Sequence, residues 1–172
     1  MGWFNLWLYL HILAVIVAFG PSFTFGPISA MMRKNPQHAV FGAEIIEFIE
    51  SKMTIPLAVL VPLFGTALIY TAPGHIDLWK SEWLIIAIVL YTITFAFALF
   101  VQTKNITRMV RLLKSMPPPA SGPPSEGAPA GPPPEIAALG KKLQLGGIYL
   151  SVMVLTILVL MIWRPGNCQG IC

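Results

Sequence analysis

The sequence predicts an all-α polytopic membrane protein, a bundle of four transmembrane helices with both termini outside. Three observations carry that expectation. Hydrophobic residues make up 56% of the 172 residues and charged residues 10%, against about a quarter charged in soluble domains. Four apolar stretches are each long enough to cross a bilayer, which takes about 20 residues as a helix. Nine of the eleven basic residues fall in two alternate connections. This composition excludes a soluble enzyme, a disordered chain and a disulfide-stapled secreted domain.

The first span is expected over 3–32, with Arg33 as the first charged side chain. A signal peptide needs a basic n-region and a shorter apolar run, so the stretch reads as a retained span. Pro21 and Pro27 lack N–H donors and should kink or end it. Ala14, Ala18, Ser22, Gly26 and Ala30 recur every fourth residue, a spacing that lets helices approach closely.

The segment Ala39 to Lys52 carries Glu44, Glu47 and Glu50 at intervals of three, with Ile45, Phe48 and Ile49 between them. That periodicity predicts an amphipathic helix leading into the second span. A sharper reading makes its acids a docking face or a cation site, although three carboxylates alone are a weak metal signal. The second span is expected over 54–71, interrupted by Pro56 and Pro62, and the third over 83–101 with no matching break. All the acids are expected outside the apolar cores.

A basic cytosolic helix is expected over 102–116. Lys104, Arg108, Arg111 and Lys114 fall largely on one face, suited to anionic headgroups. The patch is short and has no interleaved aromatics, so nucleic acid is not expected as a partner. In the segment 117–134, nine of eighteen residues are proline, a composition of extended spacers. The fourth span is expected over 143–163, followed by an outer tail over 164–172. That tail holds Cys168 and Cys172, the only cysteines, which can pair on an oxidising side.

Orientation follows from charge. Arg33, Lys34, Lys52, Lys104, Arg108, Arg111, Lys114, Lys141 and Lys142 lie in the first and third connections. The positive-inside rule puts those in the cytosol. Trp3, Trp7, Trp79, Trp83 and Trp163 then all lie near the outer face, where indole rings favour the interface.

His11 is the one ionisable side chain expected deep in a span, and such groups are functional candidates. Imidazole suits iron and copper. His75, on the same side, is the second candidate ligand for haem, while His38 lies at the opposite face. A neutral His11 hydrogen-bonded across helices is the competing expectation. No Ser or Cys beside a base, carboxylate pair or phosphate-cradling loop stands out.

Two stretches carry a resemblance. WLYLHILAVIVAFGPSFTFGPISAMMR, with its Leu-His pair, small residues and basic exit, resembles the first helix of the bacterial domain-of-unknown-function 2269 family. LSVMVLTILVLMIWRPG, closing on Arg164, Pro165 and Gly166, resembles its last helix. The resemblance implies a multi-pass protein of the bacterial cytoplasmic (inner) membrane without an assigned activity. His11 alone carries a looser similarity to the copper-resistance D family and to haem-binding bacterial protoporphyrinogen oxidase. Ala18-Phe19-Gly20 stands where the latter's Trp-containing element is expected, and the third span holds no Lys or Arg. The expected function is therefore a non-catalytic subunit or scaffold without a cofactor, with a membrane-protein partner or a second copy. The alternative is a haem b- or copper-handling redox protein using His11.

Overall fold

The computed structural model describes residues 2–73, 76–116 and 133–165. Within them the fold is four long helical rods, Trp3–Lys34, Pro36–Thr71, Glu82–Ser115 and Pro134–Trp163, each long and apolar enough to cross a membrane. No strand occurs among the described residues.

The first rod is α1 (Trp3–Phe19) and α2 (Phe25–Lys34), joined by the 3-10 turn Pro21–Thr24. The turn falls where Pro21 withdraws a backbone donor. The small residues do not share one face: Ala14 and Ala18 are buried, whereas Gly26 is exposed, as a four-residue period drifts around a helix of about 3.6 residues per turn. The second rod runs through α3 (Ala39–Phe48), a π-helical segment Ile49–Thr54 and α4 (Ile55–Thr71). The third runs through α5 (Glu82–Phe97), a π-helical segment Ala98–Gln102 and α6 (Thr103–Ser115). Expected as unbroken, the third span thus leaves α geometry at the level where the second does. In each segment an N–H reaches five residues back, Ile55 to Glu50 and Thr103 to Ala98. The fourth rod is α7 (Pro134–Trp163), opened by the last proline of the Pro-rich stretch. Proline suits the first helical position because its missing N–H would have no partner there.

The rods outrun a bilayer. At ~1.5 Å per residue, the 36 residues of the second extend about 54 Å, against a hydrocarbon core of ~30 Å. Lys, Arg, Leu and Met are good helix formers, so the helices continue past the apolar runs. α6 accordingly follows α5 through the π-helical segment with no break in helical structure.

One end gathers the tryptophans. Trp3 lines a groove with Thr71, and the Arg164 guanidinium lies 5.5 Å from the Trp83 ring centre. Trp3, Trp79 and Trp163 are exposed, while Trp83 is buried. At the other end Ala43, Ile46, Ile106, Met109, Val110, Leu113 and Leu139 form a closed hydrophobic cluster. Between the ends, α1 packs along α4 and α5 along α7.

Candidate functional site

Two polar seams tie the rods together. The first lies in the apolar region and starts from a missing hydrogen. A helical N–H at position 62 would donate to the carbonyl of Ala58, but Pro62 has none. The Tyr91 hydroxyl on α5 donates to that Ala58 oxygen instead. Its ring also meets Phe19 edge-on, at 6.5 Å between centres.

One turn further along α4, His11 Nδ1 lies 2.9 Å from the carbonyl oxygen of Val61. With an acceptor opposite, Nδ1 carries the proton and donates. Gly65 makes the approach possible, since a Cβ there would sit 3.3 Å from His11 Cε1. The imidazole therefore rests against backbone, as a tie between α1 and α4. Among the described residues, no group of three or more His, Cys, Asp or Glu side chains could hold a metal ion. His38 is exposed at the other end of the molecule. His75, Cys168, Cys172 and the Pro-rich segment 117–132 lie outside the described residues.

The second seam is at the basic end, and sequence reasoning missed its centre. Glu44, Glu47 and Glu50 all face α6, antiparallel to Lys114, Thr107 and Thr103. Lys114 Nζ is 2.7 Å from Glu44 Oε1, and Thr107 Oγ1 donates to Glu47 Oε1 over 2.7 Å. The Glu44 carboxylate raises the Lys114 pKa above its usual value, by the hydrogen bond first and by charge second. Thr103 Oγ1 lies 3.3 Å from Glu50 Oε1 and 2.9 Å from Ala98 O. Glu50 is only 5% exposed. Glu50 lies before the apolar run 54–71, as expected of the acids, yet it is buried where the π-helical segment of the second rod meets its counterpart on the third. The one available signal was the three-residue spacing, which reads equally well as a solvated face.

Gln102 extends this seam to α7. It is 7% exposed, and its Nε2 donates to Leu143 O over 3.1 Å. Its Oε1 packs over Gly146 with no hydrogen-bond partner. Arg108 pairs with Glu135 at 2.6 Å, and Lys104 Nζ lies 5.9 Å from the Phe100 ring centre.

Four apolar rods, with polar side chains closing backbone carbonyls across them, define a multi-pass α-helical integral membrane protein. The chain belongs to the family described as "Predicted integral membrane protein (DUF2269)", whose model matches residues 5–165. No curated protein and no solved structure matches the chain.

Proposed function

We propose that the protein is a non-catalytic subunit or scaffold of the bacterial cytoplasmic membrane, with its termini outside and its basic end in the cytosol. The observation that carries this reading is the His11–Val61 hydrogen bond. The one histidine within the spans is engaged in helix packing, as Tyr91 and Gln102 are. Partners of such a scaffold are a second membrane protein or a second copy of the chain.

The same bond favours one alternative, a haem b- or copper-handling protein. Donation from Nδ1 leaves the lone pair on Nε2, the usual arrangement of a metal-ligating histidine. The described residues supply one imidazole at this level and no second ligand, so the fit is partial and no chemical step is assigned to such a group.

Absorption spectra of protein expressed with haem supply, before and after dithionite, separate the two. The scaffold reading expects no Soret band, and a His11→Ala variant that unfolds more easily. A Soret band that His11→Ala abolishes would overturn it.

A further inference from the structure

The four basic residues of α6 are not equivalent. Lys114 is turned to Glu44, on the far turn of the helix. Lys104, Arg108 and Arg111 instead line one open groove of about 550 Å³, with Thr103, Thr107 and Glu135 on its walls. Three cations face one carboxylate there, so the groove is left with net positive charge. The Arg108–Glu135 pair does not exhaust the guanidinium, which carries five N–H donors.

The groove's height matters as much as its charge. Thr103 lies twenty residues from Trp83, about 30 Å at ~1.5 Å per residue, one hydrocarbon thickness from the tryptophan end. Phe100 is 60% exposed just beneath, with the Lys104 ammonium above its ring. Cations thus sit at headgroup level, directly over an apolar wall.

We propose that this groove holds the phosphate headgroup of one anionic phospholipid, with an acyl chain against Phe100. Lys104, Arg108 and Arg111 neutralise the phosphate; Thr103 and Thr107 shape the wall beside it, their hydroxyl hydrogens being engaged by the second rod and by Ala98 O. A free anion would use the cations but not the apolar wall below them, so the lipid is the favoured occupant. This goes beyond the scaffold reading and does not depend on it.

Native mass spectrometry of the full chain, released from micelles holding phosphatidylglycerol and phosphatidylcholine, tests the proposal. One phosphatidylglycerol is expected to stay bound, and phosphatidylcholine is not. The triple change Lys104→Gln, Arg108→Gln, Arg111→Gln is expected to lower retention about a hundredfold, from roughly fivefold per charge. Arg111→Gln alone, a milder change should the triple variant misfold, is expected to lower it about fivefold. Lys114→Gln should leave retention unchanged. Equal losses at Lys114 and Arg111 would mean a diffuse basic surface and overturn the site. Displacement of the lipid by millimolar inorganic phosphate would mean a soluble-anion site and overturn the assignment to lipid.

Discussion

At the scale of single residues, one interior contact follows from a backbone carbonyl that lacks its helical partner. Pro62 orphans Ala58 O, and Tyr91 answers it from another rod. A buried carbonyl left without a donor costs about 1–3 kcal/mol. Tyr91→Phe should therefore destabilise the protein by about that much, measured by denaturant unfolding in mixed micelles. In a Pro62→Ala background the backbone N–H returns and closes the carbonyl within α4. The same Tyr91→Phe change should then cost less than about 0.5 kcal/mol, as a double-mutant cycle reads it. Equal costs in both backgrounds would show that Tyr91 acts through packing alone. His11 was legible as a packed residue because it falls nearly in line with Ala18, two turns on, in a series of small residues. Tyr91 was not, since its partner is a carbonyl that only the fold brings near. Glu50 was not either. Charge patterning places a carboxylate in solvent by default, and the default fails where an extra residue in the helical turn rotates it inward.

At the scale of elements, the apolar runs marked where helices cross a membrane but not where they stop. Charged residues bound a span without ending a helix, so the 102–116 segment read as a separate basic helix while α6 belongs to the same continuous rod as α5. The paired π-helical segments were not legible. They depend on matching between two rods, at the level where Glu50 and Gln102 are buried. The approach of α7 to the third rod at this level can be tested at one glycine. A Cβ on Gly146 would clash with Gln102 Oε1 and sit 3.2 Å from its Cδ. Gln102 cannot swing away freely, because Nε2 is held by Leu143 O. Gly146→Ala is thus expected to cost about 1–3 kcal/mol, as overpacking does. Gly147 is the matched control, since nothing lies within 4 Å of a Cβ built there. Gly147→Ala should be neutral or stabilising by up to about 1 kcal/mol, because alanine gives the helix less entropy to lose. Thermal unfolding of both variants in one detergent reads the contrast. A loss at Gly147 as large as at Gly146 would place the effect in α7 itself and not in its contact with Gln102.

At the scale of the whole molecule, stability is expected to concentrate outside the bilayer. Lipid tails are as apolar as the side chains they would replace, so helices in a membrane gain little by burying leucine against leucine. The spans accordingly bury small residues, Ala14, Ala18, Ala58 and Ala87, and leave Leu63, Ile93 and Val159 exposed. Beyond Thr103 the surroundings change. If Lys104, Arg108 and Arg111 stand in water, as the proposed cytosolic placement of the basic end has it, the hydrophobic effect operates there in full. The cluster of Ala43, Ile46, Ile106, Met109, Val110, Leu113 and Leu139 draws on α3, α6 and α7, so it joins three of the four rods. It also bridges the two pairs formed by α1 with α4 and α5 with α7. Ile106 is 3% exposed at its centre. Ile106→Ala should therefore cost about 2–5 kcal/mol, the range for truncating a buried isoleucine. Val159→Ala, on the lipid-facing side of α7, should change stability by less than about 0.5 kcal/mol, as exposed positions do. Unfolding of both variants by denaturant in the same micelles measures the difference. If the two truncations cost alike, the spans and not the extramembrane cluster hold the bundle together, and the two helix pairs must be joined by contacts such as that of Tyr91.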